Sequence, residues 1–376
     1  MSERRVAIAG ASMRRADGVR DHAGLLGDAL AEQGISSSWH WIMREQTSAR
    51  ASCSEMRRRT RALGRELEQE PADAVVLHYS VFSWSYRGVP VFVPWLVSAL
   101  ERSPAPLIVF GHELAFPWGR AATTGAVWAA SQRVALLPVM RAASAVILTT
   151  DSRARWLASR RWLPTRPTRV APVFSNLPAP RLEAAPGQGA PQLGIFGFAA
   201  EGAIATVLDA IAPVGRDGSP AHLTLFGAAG GDSQAGTAWM AQARLRGMAD
   251  RIGFSGALPA QQLSDALAAC DLLLFIDGPG PTSRKGTLAA SLASGTAVVA
   301  LDGAQTWQAL VQSEAALIVA PTAAALASGL QGLIDDPARR AALGARGRAF
   351  ADEQMGLGAS AALVAELVTE VSRERR

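Results

Sequence analysis

Along most of this chain, short runs of consecutive apolar residues alternate with longer stretches in which apolar residues return every three or four positions. The runs read as strands buried on both faces, the stretches as amphipathic helices. In the C-terminal half, Leu193 to Phe196 ends at Gly197 and precedes a helix from about Ala203 to Ala212. Leu223 to Phe226 ends in GAAGG, and Arg251 to Phe254 leads through a turn into a helix with Leu263, Leu267 and Cys270 on one stripe. Leu272 to Phe275 precedes a turn rich in glycine and proline, a helix opening at Ser283, and a further strand after Gly295. The N-terminal half repeats the rhythm. Arg5 to Ala9 is a strand, Gly10 to His22 a polar loop, and Ala23 to Gln33 a helix; Ala74 to Tyr79 and Leu107 to Phe110 are further strands. Strands separated by helices imply parallel sheets, so the fold class is α/β, and ligands are expected beyond the carboxyl ends of the strands.

One such end carries most of the chemistry. Ile276 to Val299 reads IDGPGPTSRKGTLAASLASGTAVV. A helix start carries unpaired backbone N–H groups and the positive end of the helix dipole, and here Arg284 and Lys285 fall on its first turn. That combination suits a phosphate. Gly286 permits close approach of a ligand to the backbone, while Thr282, Ser283 and Thr287 offer hydroxyls. Without wider context, the same residues also describe a capped helix with two solvated basic side chains.

The wider context is a resemblance. The succession LGIFGF, LTLFG, RIGFSGALPAQQLSDALAACDLLLFID and SRKGTLAASLASGTAVVALDG resembles the C-terminal domain of GT-B glycosyltransferases, in particular the retaining group called family 4. That group commonly carries two glutamates eight positions apart; alignment on Gly295 puts Thr282 and Ala290 in their places. The chain therefore resembles the subset lacking the paired-glutamate signature, in which the segment reads serine, basic, basic or lysine, glycine, small. The arginine and lysine usual after the first strand of this domain are also missing, since Phe198, Ala199, Ala200 and Glu201 follow Gly197. The resemblance implies two Rossmann-like parallel-sheet domains facing each other across a cleft, with a C-terminal helix crossing back to the first. It also implies a donor site formed by Gly197, Gly256, Leu258, Pro259, Ser283, Arg284, Lys285, Gly286 and Thr287, in which the basic pair neutralises a diphosphate.

For the N-terminal half the resemblance implies the acceptor side. The loop after the first strand closes over donor or acceptor, which nominates Gly18 and Arg20. His78 and Tyr79 end a strand, and Arg87 lies in the YRGVP turn that follows; these three are cleft candidates. His112 ends the strand Leu107 to Phe110 in the sequence GHEL, where the family carries a histidine near the donor sugar and acceptor hydroxyl. His112 and Glu113 are therefore the catalytic candidates, although a histidine at a strand end is more often structural. His22, His40 and His222 have no comparable context.

Composition agrees with a globular protein of two sizeable cores: 376 residues, 49% hydrophobic and only 18% charged. The longest apolar runs fall short of the roughly 20 residues that span a bilayer, and the start MSERR lacks a signal peptide's apolar centre. The expected location is cytoplasmic. Cys53 and Cys270 fit a reduced compartment and have no metal-site spacing. No Asp-x-Asp sequence occurs, and neither a metal nor a cofactor is expected, the nucleotide-diphosphate sugar serving as substrate. The net charge of +5 reflects arginine clusters at Arg57, Arg58, Arg59, Arg61 and Arg65, and at Arg153 to Arg169 among Trp156 and Trp162. Such patches suit an anionic membrane surface on the inner face of a cell membrane, or are merely a solvated face. No nucleic-acid-binding module accompanies them.

The expected organisation is an N-terminal domain over 1–182, a linker over 183–192, a nucleotide-sugar domain over 193–355 and a terminal helix over 356–376. The expected function is metal-independent transfer of a sugar from a nucleotide sugar to a hydroxyl acceptor, with retained configuration, in surface polysaccharide or glycolipid assembly. The acceptor would be a lipid-linked saccharide or a similar hydroxyl. Two other classes compete: a catalytically silent scaffold of the same fold, which would explain the lost glutamates, and a nucleotide-sugar epimerase, which would require more carboxylates around the sugar.

Overall fold

The computed structural model describes residues 4–13, 17–181, 189–197, 203–227 and 229–374. The chain divides into two compact units, Met1–Pro172 with Leu357–Arg376, and Val173–Gly356. The division falls at Pro172/Val173, earlier in the chain than the break expected at 183–192, most of which lies outside the described residues. The reason is local. Val173 donates its N–H to Ser283 O (2.7 Å), Ser264 Oγ donates to Pro178 O (2.6 Å), and Leu177 packs against the apolar cluster around Leu288, so this segment already belongs to the second unit.

The first unit runs β1 (Arg4–Ser12), α1 (Gly18–Glu32), β2 (Ile35–Met43), α2 (Ala49–Gln69), β3 (Ala74–Ser80), α3 (Val93–Leu100), β4 (Leu107–Glu113), α4 (Ala122–Ala142), β5 (Ala143–Leu148), α5 (Asp151–Ala158) and β6 (Thr168–Val170). Its sheet is parallel, in the order β2-β1-β3-β4-β5-β6. Every residue of β3 is buried, as a strand covered by helices on both faces requires.

The second unit runs β7 (Gln192–Phe196), α6 (Ile204–Ile211), a hairpin of β8 (Gly215–Arg216) and β9 (Ser219–Pro220), β10 (His222–Phe226), α7 (Gln234–Leu245) and β11 (Ile252–Gly256). It continues through α8 (Ala260–Ala268), β12 (Leu272–Phe275), α9 (Gly286–Ala293), β13 (Val298–Leu301), α10 (Gln308–Gln312), β14 (Leu317–Val319), α11 (Ala323–Ile334) and α12 (Pro337–Gln354). Its main sheet is parallel, in the order β11-β10-β7-β12-β13-β14. This is the doubly wound dinucleotide-fold order, and the crevice at its switch point opens between the carboxyl ends of β7 and β12. The first unit reverses its order between β1 and β3 in the same way.

The last helix, α13 (Leu357–Glu374), packs on α1 within the first unit, burying Val364, Leu367 and Val368. Residues Pro337–Arg373 as one stretch are long and apolar enough to cross a membrane by length and composition. Met355 and Gly356 break that stretch into two helices, and their apolar positions Leu343, Phe350, Val364 and Val371 are buried in the protein.

Candidate functional site

In the second unit, β7 ends at Gly197, whose φ of +78° is the left-handed conformation that favours glycine. A side chain there would also meet Thr287 Cγ2 at 2.8 Å. The end of β7 therefore lies against the first turn of α9, as the switch-point rule requires. The helix begins at Gly286, three residues later than the sequence suggested, so Arg284 and Lys285 precede its first turn instead of lying on it. Lys285 occupies the N-cap without capping through its side chain.

The expected donor residues separate by role. Arg284 is half-buried and has no partner among the described residues. Lys285, the only lysine in the sequence, pairs its Nζ with Asp277 Oδ2 at 2.6 Å. Thr282 is buried, and its Oγ1 has no hydrogen-bond partner among the described residues, an unusual state for an interior hydroxyl. Ser283 is 2% exposed and its carbonyl is tied to Val173, so its hydroxyl is not offered to solvent as expected. The turn from Asp277 to Pro281 is pinned by the loop after β13: Gln305 and Trp307 donate their N–H groups to Pro279 O and Pro281 O, both at 2.8 Å. A side chain on Gly286 would find only Val173 and Phe174 at ordinary contact distances, so the protein itself does not require glycine there.

Gly256 ends β11, at the edge of the sheet, with Leu258 half-buried and Pro259 exposed at the N-cap of α8. Ser255 Oγ donates to Gly256 O at 2.8 Å and accepts from Gly227 N–H at 3.3 Å, which links the ends of β10 and β11. Phe198 to Glu201 lie outside the described residues. Ala290 is buried on the inner face of α9. Cys270 is buried, which pushes its thiol up to about 12 and keeps it protonated.

In the first unit, His78 and Phe110 are register partners on β3 and β4, and His112 sits where the register slips. Tyr79 pairs with Gly111 and Ser80 with Glu113, leaving His112 as the extra residue of a bulge. A bulge re-aims the side chain it carries. The rings of His78, Phe110 and His112 lie near parallel, with centroids 5.0 to 5.3 Å apart, and His22 of α1 meets all three edge-on. His22 escaped the sequence reading because α1 begins at Gly18 and not Ala23. The signal was present: Asp17 caps that start, accepting from Val19 and Arg20 N–H.

Burial holds all three imidazoles neutral. It lowers His22 to about 3, and lowers His78 and His112 well below the usual histidine range, with the neighbouring histidines acting in the same direction. Arg153 donates to the His112 carbonyl and to Thr149 Oγ1 (2.8 Å), fixing the strand end. Glu113 does not pair with His112: its carboxylate accepts from Ser80 Oγ at 3.1 Å. Tyr79 faces the opposite side of the sheet and is fully buried in the hydrophobic core, where burial raises its hydroxyl, so the expected cleft role is lost. Gly18 and Arg20 lie on the first turn of α1, and Arg87 is exposed at the tip of a tight turn between Tyr86 and Val89.

A separate feature of this unit is a cavity of about 570 Å3 beside α2, lined by Arg57, Arg58, Arg61, Arg65 and Trp95. These four arginines have no acidic partner among the described residues, whereas Arg59 pairs with Glu55 and Glu45, and Arg102 with Glu68.

No sequence among the curated proteins matches this chain. Among solved structures it is similar to sucrose-phosphate synthase from Thermosynechococcus elongatus, with a TM-score of 0.70 at 18% identity, covering 97% of this chain and 98% of that one. It is also similar to HepE of Anabaena in complex with UDP and glucose, with a TM-score of 0.67 at 16% identity over 97% and 99%. A Listeria monocytogenes protein assigned as a UDP-N-acetylglucosamine 2-epimerase gives 0.64 at 12% identity over 98% and 97%. At these identities the likeness is one of fold, and the fold is GT-B: two Rossmann-like parallel-sheet domains. Residues 190–336, the stretch holding Gly197, Gly256 and the Arg284–Thr287 turn, match the family described as glycosyl transferases group 1.

Proposed function

We propose that the protein is a retaining, metal-independent glycosyltransferase that moves a sugar from a nucleotide-diphosphate sugar to a hydroxyl acceptor. The observation that carries this reading is the switch point of the second unit. There Gly197 at the end of β7 lies against Thr287 at the start of α9, and the turn that follows β12 carries Thr282 and Arg284, which have no side-chain partner among the described residues. Backbone N–H groups at a helix start with a cation beside them would stabilise charge as it develops on a leaving diphosphate. In the transfer, the bond from the anomeric carbon to the β-phosphate oxygen breaks and the acceptor oxygen attacks the same face. Its proton passes to the departing phosphate. Arg284 and Lys285 take the neutralising role, and the segment Gly256 to Pro259 brackets the base. His112 is the group of the first unit assigned to the sugar.

The epimerase reading is weaker because that chemistry moves a proton at a carbon and relies on carboxylates, while this loop offers only Asp277, already paired with Lys285. A silent scaffold would have no use for a bulge that re-aims a histidine. The four-arginine cavity beside α2 supports cytoplasmic residence at an anionic membrane face, where a lipid-linked acceptor for surface polysaccharide or glycolipid assembly would be met. The test is His112→Ala, assayed for product formation and for nucleotide affinity. Transfer should be lost with affinity kept, since a group acting in the transition state changes turnover first. Full activity in the variant would overturn the assignment.

A further inference from the structure

Resting on that reading of His112, we infer that His78 is a positioning residue that fixes the tautomer of His112 and makes its Nδ1 a hydrogen-bond donor. His78 Nδ1 and His112 Nε2 lie 3.0 Å apart. Their ring centroids are 5.3 Å apart, which exceeds the N···N distance by about two ring radii, the most that geometry allows. The two nitrogens therefore meet head-on, with ring planes only 22° apart. This decides between two uses of the cluster. Ligand atoms of His22, His78 and His112 fall within 4.8 Å of one another, which invites a metal ion, but ligands share an ion by turning towards a point off the line between them. Nitrogens facing each other along that line share a proton instead.

A neutral imidazole carries one N–H and one bare nitrogen, so a single proton lies between the pair. The rest of His78 says whose it is. Its Nε2 is buried without a partner among the described residues. If His112 donated, the His78 proton would sit on that Nε2 as an orphaned donor. If His78 donates from Nδ1, the leftover atom is a bare nitrogen, and interiors tolerate unpaired acceptors more readily than unpaired donors. His112 then accepts at Nε2 and carries its own proton on Nδ1. That atom has no partner among the described residues and, with His112 9% exposed, is not sealed from solvent as His78 Nε2 is. His112 thus presents an N–H, suited to an oxygen of the sugar, and not a base. The stack on Phe110 holds the His78 ring in plane for this contact.

The experiment reads the tautomer directly, by 15N NMR of the full-length protein labelled at its five histidines, with His112→Ala to assign the signal. The expected spectrum shows His112 protonated at Nδ1, and His78→Phe shifts it towards the Nε2–H form or a mixture. Turnover in His78→Phe should fall on the order of a hundredfold with nucleotide affinity unchanged. His78→Asn, whose amide N–H stands near the place of Nδ1–H, should recover most of it. An Nε2–H tautomer in the wild type, or equal loss in the Phe and Asn variants, would overturn the inference. The spectrum needs no substrate, so a protein that transferred no sugar would defeat the glycosyltransferase reading and leave this one standing.

Discussion

Lys285 and Asp277 form an ion pair of 2.6 Å, each side chain about 30% exposed, at the mouth of the loop assigned to the diphosphate. The carboxylate holds the cation in the ligand-free protein, and a phosphate must compete for it. Partly exposed pairs contribute only about 0 to 1 kcal/mol. Asp277→Asn should therefore tighten nucleoside diphosphate binding by up to about fivefold, the gain shrinking at high salt. Calorimetric titration at two ionic strengths measures it, and weaker binding would mean that Asp277 itself touches the ligand.

Gly286 offers a test that spares the fold. The methyl of an alanine there would meet Val173 Cγ1 at 3.7 Å and Phe174 O at 3.8 Å, ordinary contacts that cost nothing. Gly286→Ala should keep or slightly raise the melting temperature while weakening diphosphate binding about tenfold, because the methyl takes the space that a phosphate approaching the helix start needs. Unchanged affinity would place the phosphate elsewhere.

The buried histidines give a pH dependence. His22 is lowered by burial to about 3, so below its ordinary 6.5 the unfolded chain takes up a proton that the folded chain refuses. Stability is full above about pH 6.5 and is lost as the pH falls. At about pH 5, His22 alone costs about 2 kcal/mol, and His78 and His112, also lowered, act in the same direction. The melting temperature should drop between pH 7 and pH 5, and His22→Phe should drop less over the same interval. Parallel curves for the two proteins would contradict the assignment.

Turnover should survive EDTA. In the proposed site, Arg284 and the start of α9 would neutralise the diphosphate in place of a divalent ion. Loss of activity in chelator with recovery in manganese would require a different mechanism.

The strands and most helices were legible because each carries its own periodicity, as in Leu272 to Phe275 and Ala74 to Tyr79. The His112 environment was not. It depends on a register slip between β3 and β4, which is set by packing between distant segments, and on a helix start at Gly18, whose only local signal is the Asp17 cap. Tyr79 was misplaced for a related reason: neighbours in a strand face opposite ways, so His78 and Tyr79 cannot share one side. At Arg284 the difference is one of helix boundary, three residues, and it turns a first-turn pair into a turn that carries Arg284, without a partner among the described residues, and Lys285, held by Asp277.

The turn before α9 is the proposed binding place for the diphosphate of a sugar nucleotide. Its most direct test is calorimetric titration of the wild type and of the Arg284→Ala/Lys285→Ala variant with a panel of nucleoside diphosphates. Charge-assisted contacts to phosphate contribute roughly 1.5 to 3 kcal/mol each, so the wild type should bind one of the panel and the double variant should lose at least a hundredfold, with melting temperature unchanged. Equal affinity in the two proteins would place the diphosphate elsewhere.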